Sequence, residues 1–193
     1  MVNFNLNSVN KKNHYFGGGF NARPIKIYDF YEPRTVDQSR FLQIPEFIST
    51  YLYYSSNSNN KFAFDLNPFI SFVNEKGRLN YGIVIGPRYR FSDHFSLSYN
   101  FDFSKQDNNL GYVGSDSATH EIFMGRRDRS TYINTVQGKF TINSDMNFNL
   151  SLRHYLSYAD YSQYYSLQND GTLNTTTNFT QNSNSIFNAW NLD

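Results

Sequence analysis

The sequence predicts an all-β fold: an antiparallel, up-and-down transmembrane β-barrel, present as an incomplete fragment of about eight strands plus the start of a ninth. Three observations predict it. First, in the stretch 95–103, Phe95, Leu97, Tyr99, Phe101 and Phe103 alternate with Ser96, Ser98, Asn100 and Asp102. A strand turns successive side chains to opposite faces, so this segment has one aromatic face and one small polar face. Its length fits the roughly 9–11 residues that a tilted strand needs to cross a bilayer. Second, the apolar content is aromatic rather than aliphatic. Phe 19 and Tyr 16 dominate a chain of 193 residues that is 39% hydrophobic, diluted by Asn and Ser to a mean hydropathy of −0.62. Strands with one lipid face and one polar face have this composition. Third, the connections between alternating segments are short and long in turn, as up-and-down barrels require.

The segments follow in order. The first covers about 2–9, with Val2, Phe4 and Leu6 opposite Asn3, Asn5 and Asn7, and Asn10-Lys-Lys-Asn13 turns the chain. The second covers about 14–30. Phe16, Phe20 and Ala22 share a face, and Gly17, Gly18 and Gly19 predict a bend or the close approach of another segment. Ile25 and Ile27 fall on the opposite parity, so a bulge is expected near Pro24. A long connection at 31–45 leads to a third strand over about 46–56, aromatic on both faces. The fourth covers 61–73, with Phe62, Phe64, Leu66, Ile70 and Phe72 opposite Lys61, Asp65, Asn67 and Ser71. The fifth covers 79–91, with Tyr81, Ile83, Ile85, Tyr89 and Phe91 opposite Asn80, Gly82, Gly86, Arg88 and Arg90.

The sixth strand is the opening stretch at 95–103, and a polar loop is expected over about 106–120. The seventh covers about 121–142, with Val136, Phe140 and Ile142 opposite Thr135, Gln137, Lys139 and Thr141. The eighth covers 146–165, with Met146, Phe148, Leu150, Leu152 and Leu156 opposite Asn147, Asn149, Ser151 and Arg153. A loop rich in Asn and Thr covers about 166–185, and the ninth strand begins near Ile186. Turns near residues 11, 58, 93 and 144 are short, whereas the connections after the second, sixth and eighth strands are long. This directs the first strand toward the periplasm.

Met1-Val-Asn-Phe-Asn-Leu-Asn7 has neither a basic start nor a continuous apolar stretch, so it reads as strand rather than signal peptide. Trp190-Asn-Leu-Asp193 ends inside an alternating pattern. Residues 1–193 are therefore expected to be one partial barrel domain, truncated at both ends. A net charge of +1 gives no electrostatic footprint for nucleic acid. The absence of cysteine excludes disulfides and thiolate metal sites.

Chemistry-bearing patterns are sparse. His14, His94, His120 and His154 lack metal-ligand spacing, and no nucleophile elbow or phosphate-cradling loop occurs. The expectation is no catalytic residue, no cofactor and no metal. The candidate polar cluster comprises Arg23, Lys26, Asp29, Arg34, Arg88, Arg90, Asp102, Arg126, Arg127, Asp128, Arg129, Lys139 and Arg153. Charges on the lipid face would be costly, so a water-filled or plugged lumen, or a loop above it, is their expected place. Arg126-Arg-Asp-Arg129 reads either as a phosphate or acidic-sugar site built from Arg forks, or as a solvated strand end above the membrane or an Arg–Asp ladder between neighbouring strands, with the structural readings favoured. The cluster around Pro24 is expected to be a structural network.

Phe20-Asn-Ala-Arg-Pro-Ile-Lys-Ile-Tyr-Asp-Phe-Tyr-Glu-Pro-Arg34, Asn60-Lys-Phe-Ala-Phe-Asp65, Gly125-Arg-Arg-Asp-Arg129 and Phe187-Asn-Ala-Trp-Asn-Leu-Asp193 together resemble domain-of-unknown-function family 5916, found largely in Bacteroidota. The resemblance covers essentially the whole chain. It implies the barrel region of a large outer-membrane protein that also carries a signal peptide and an N-terminal domain similar to carbohydrate-binding module family 9, neither of which has a counterpart in these residues. It carries over no catalytic residue. The expected role is thus a membrane anchor in the outer membrane of a Gram-negative bacterium, with solute passage through it as a further role. The alternative is the barrel part of a carbohydrate-binding or carbohydrate-processing protein. Expected partners are outer-membrane lipid and either glycans or small solutes, with no nucleic acid.

Overall fold

The computed structural model describes residues 1–180 and 184–193. Alternation makes strands here, and the strands form one antiparallel sheet. β1 (Val2–Val9) and β2 (Tyr15–Arg23) form the first hairpin. The chain leaves the sheet after Arg23, forms a separate two-stranded sheet from β3 (Ile27–Asp29) and β4 (Leu42–Ile44), and returns as β5 (Phe47–Ser55) beside β2. β6 (Phe62–Val73), β7 (Leu79–Arg90), β8 (Phe95–Ser115), β9 (Ile122–Thr141) and β10 (Asn147–Leu167) then add in sequence order. The far edge of β10 is shared: β11 (Leu173–Thr175) pairs with its last residues, and β12 (Asn184–Leu192) pairs with 152–160. Among the described residues β1 pairs only with β2 and β12 only with β10, so the sheet is open.

The eight long strands and a ninth at β12 match the segments read from the pattern, and three departures have physical causes. The expected strand over 14–30 ends at Arg23; instead of a bulge at Pro24, the chain leaves the sheet. Proline has no N–H to donate to a ladder, and Ile27–Asp29 finds its partners in Leu42–Ile44. The stretch 106–120 is not a loop. β8 runs on to Ser115 and stays paired with β9 through register shifts between Gln106 and Asn109 and between Tyr112 and Gly114, with Asn108 at φ +53°. Each inserted residue flips the parity, which erases the alternation that would mark a strand. The expected loop over 166–185 contains β11 and the start of β12; its residues 181–183 lie outside the described residues.

The register sorts the side chains of the sheet. Leu66, Ile85 and Phe101 lie in one row on the apolar face, and Phe62, Tyr89 and Leu97 in another. The third strand, aromatic on both sides, resolves: Ile48, Leu52 and Tyr54 join the apolar face, while Tyr51 and Tyr53 join the polar one. Residues from β2, β6, β7, β8, β9 and β10 line one common cavity on the polar side, so the sheet curls toward that face. At the start of β8, burial is the reverse of that in a water-soluble sheet. Phe95, Leu97 and Tyr99 are 37%, 39% and 37% exposed, while Ser96 and Ser98 between them are half-buried.

A compact core exists elsewhere, at the end of the sheet away from the short turns. There β8, β9 and β10 outrun the other strands. Leu42 from β4 packs on Leu110, Ile122, Met124 and Leu167, all buried. The opposite side of this extension is covered by Phe179, which stacks on Phe123 and meets Tyr164. Ile122, Phe123 and Met124 are consequently buried on both sides. The segment 24–46 leaves between β2 and β5 yet docks on β8–β10, so it straps one part of the sheet to another. Arg40 donates to the Leu167 carbonyl, Gln43 N donates to the Gly171 carbonyl at 3.2 Å, and the Glu32 carboxylate accepts from Tyr112 N at 2.8 Å. That last bond satisfies an amide on the otherwise free edge of the β8 extension.

Candidate polar-face site

Strand alternation puts Arg88 and Arg90 of β7, Lys139 of β9 and Arg153 of β10 on the polar face near the short turns. Across the sheet, Arg90 lies beside Ser96, and Ser96 beside Lys139. One row further, Arg88 neighbours Ser98, then Gln137, then Ser151. Thr135 neighbours Arg153 in the row above. Long cations thus stand around short hydroxyl residues, which leave space: a cavity of about 690 Å³ contains Asp65, Arg88, Ser98, Asn100 and Arg153 in its walls. A second, of about 410 Å³, lies nearer the turns between Arg88, Arg90, Ser96 and Lys139, with Asp93 and His94 at its margin.

Two guanidiniums converge here. Arg88 Nη2 and Arg90 Nη2 both donate to the carbonyl of Ser58, at 3.3 and 3.4 Å. His94 Nδ1 lies 2.9 Å from the Thr141 carbonyl and ties the turn after β7 to the end of β9. Among the described residues, the ion pairs are Arg78–Glu75, Arg126–Glu75 and Lys105–Asp107. None of them involves Arg88, Arg90, Lys139 or Arg153. Such a face can attract and orient anions or polar solutes. Among the described residues no group of three or more His, Asp or Glu side chains could hold a metal.

The remaining residues of the expected cluster lie apart from this basin. Arg23 donates to the Pro45 carbonyl at 2.7 Å and lies over the Phe47 ring, closing the base of the strap. Asp29 accepts from Tyr31 N and Glu32 N, which shapes the turn after β3. Arg34, at φ +56°, stacks on Tyr112. Lys26 borders a smaller cavity with Glu75 and Arg126. Asp102 sits on the polar face between Val84 and Ile133, above the basin.

Arg126, Arg127, Asp128 and Arg129 fall inside β9 and alternate between its faces. Arg126 bonds Glu75 and the Asn108 carbonyl and lies over Tyr165; Arg127 bonds Tyr161; Asp128 accepts from Asn108 N at 2.7 Å; Arg129 pairs in register with Gln106 and Ala159. The hub of this network is Glu75, which also takes Arg78 at 3.0 Å. Burial pushes the Glu75 carboxyl up, but hydrogen bonds and charge from Arg126, then Arg78, outweigh it and hold the group below its ordinary 4.5.

Sequence reasoning did not single out Glu75, because its partner lies 51 positions away. It also missed an apolar layer above the basin: Phe69, Val84, Ile133 and Tyr155 occupy polar parity, with Phe69 lying against Gly82, where a Cβ would meet its ring at 2.6 Å.

An all-β protein built on one open, curled antiparallel sheet, with a polar concave face and an exposed aromatic face, is the class these features define. Residues 1–193 match the family described as "Domain of unknown function (DUF5916)", and the chain belongs to that family. No curated protein and no solved structure matches it.

Proposed function

We propose that this chain is wall of an outer-membrane β-barrel in a Gram-negative bacterium, anchoring a larger surface protein and passing small polar solutes along its polar face. The observation that carries the reading is the reversed burial of the long strands. Phe4, Leu6, Leu52, Phe62, Phe72 and Phe148, from four strands, are each about half exposed or more on the apolar face, while Ser71, Thr131 and Thr135 on the polar face are buried. A monomer in water rarely leaves so wide an apolar surface uncovered. A bilayer removes the cost, because lipid solvates Phe and Leu and the enclosed face keeps its hydroxyls, amides and cations wet. No helix among the described residues is long and apolar enough to cross a membrane, so any crossing is made by strands.

Fractionation of cells expressing the full protein tests the anchor. The expected result is retention in the outer-membrane fraction after a carbonate wash and release only with detergent. Recovery in the soluble fraction without detergent would overturn it. Reconstitution in planar bilayers tests passage separately: silence there removes the solute role and leaves the anchor.

A further inference from the structure

We propose that the strip formed by Arg88, Arg90 and Lys139 is a binding site for small oxyanions, of the phosphate or carboxylate class. The inference deepens the proposed solute role and rests on that reading for its placement in a lumen. Three features carry it. The guanidiniums of Arg88 and Arg90 are drawn together on one neutral acceptor, the Ser58 carbonyl, at 3.3 and 3.4 Å. Each bond uses one nitrogen and leaves the rest of the fork free, and planar forks match the geometry of an oxyanion.

Lys139 stands two strands from Arg90, with Ser96 between them in register. Two strand spacings are about 10 Å, which both side chains can span from opposite sides toward a small ion above the serine. The short side chain of Ser96 leaves the floor of the 410 Å³ cavity open.

The third feature is missing compensation. Asp93 borders this cavity and Asp65 the neighbouring one. Among the described residues, however, no carboxylate comes within ion-pair distance of Arg88, Arg90, Lys139 or Arg153. Arg126, by contrast, has Glu75. Arg78, Lys105 and Arg126 each face a carboxylate, whereas the four basin cations face none among the described residues. A concave surface of one sign concentrates counter-ions from solution.

Inorganic phosphate is the probe, added to the full-length protein folded in uncharged maltoside micelles and followed by phosphorus NMR line broadening. Wild type is expected to broaden the signal saturably. Replacing Arg88 and Arg90 together by Gln should weaken binding roughly ten-fold or more. Ser96→Glu removes no cation but places a carboxylate on the floor, and it should abolish binding by acting as an internal counter-ion. This second variant keeps the test decisive if the double substitution fails to fold. Absence of binding by wild type, or unchanged binding in Ser96→Glu, would overturn the site. Failure of the membrane reading is seen elsewhere, as detergent-free solubility, and leaves a phosphate titration with its own outcome.

Discussion

The hydroxyl of Tyr53 on β5 passes over Gly17 of β2 and bonds the side chain of Asn7 on β1. Tyr51 does the same over Gly19 to Asn5. The glycine run is therefore a channel across which the third strand holds the first. A Cβ at position 17 would meet the Leu6 carbonyl oxygen at 2.1 Å and the Tyr53 hydroxyl at 2.2 Å. A phenol can swing aside, but a ladder carbonyl cannot. Gly17→Val should cost about 1–3 kcal/mol and loosen β1 selectively. Hydrogen exchange resolved by strand checks this: faster exchange in 2–9 with β6–β9 unchanged is the expected pattern, and unchanged exchange in β1 counts against it.

Glu75 gives the fold a pH dependence. Its carboxyl is held below 4.5, so its contribution is complete above that value and is lost as pH falls through the lowered one. Glu75 is partly exposed, so the network contributes only on the order of 1 kcal/mol. Urea midpoints measured from pH 7 to pH 3 should fall more steeply for the wild type than for Glu75→Gln, which is weakened already at pH 7. Parallel curves would remove Glu75 from the network's titration.

The strap depends on one side chain more than on its many polar contacts. Leu42 is 4% exposed and packs in the only apolar cluster of buried residues among those described. Truncation to Ala should cost about 2–5 kcal/mol locally. Because β3 and β4 form a ladder only with each other among the described residues, the loss should release the segment 24–46 rather than unfold the sheet. Limited trypsin digestion should then cut at Arg34 and Arg40 early in the variant and late in the wild type. Equal rates would show that the polar bonds alone suffice.

Much of the long-strand architecture was legible because one period decides it. Where a strand keeps parity from end to end, as β1, β6 and β7 do, its faces can be read from spacing alone. Legibility stops where parity slips. The inserted residues near Asn108 and Gly114 convert a paired extension into what reads as a polar loop, and the same slip hides the buried Met124 core. It stops again at contacts between distant positions. Arg88 and Arg90 were assigned a polar face from spacing, but their convergence on Ser58 depends on how the turn after β5 folds back. The candidate charges fall into a turn-end basin, a β9 network and a strap base, because they occupy different heights of the sheet and its strap.

β8 offers the sharpest test of the membrane reading. Leu97 and Tyr99 stand on the apolar face beside Gly138 and Val136, and Ser98 and Asn100 on the polar face beside Gln137 and Thr135. If lipid covers the apolar face, Tyr99→Arg places a guanidinium in hydrocarbon and should cost roughly 2–4 kcal/mol, while Ser98→Arg should cost much less. Stability by itself cannot separate a bilayer from an unseen protein partner on that face, because either would reject the charge. Labelling can. Single cysteines at 98, 99, 100 and 101 can be placed in the membrane-embedded full-length protein, and residues 1–193 hold no native thiol to compete with them. A lipid-phase probe should mark 99 and 101, and a water-soluble maleimide should reach, if any, 98 and 100. Maleimide labelling of 99 and 101 with no reaction from the lipid probe would remove the bilayer from the apolar face, and the anchor would fall with it.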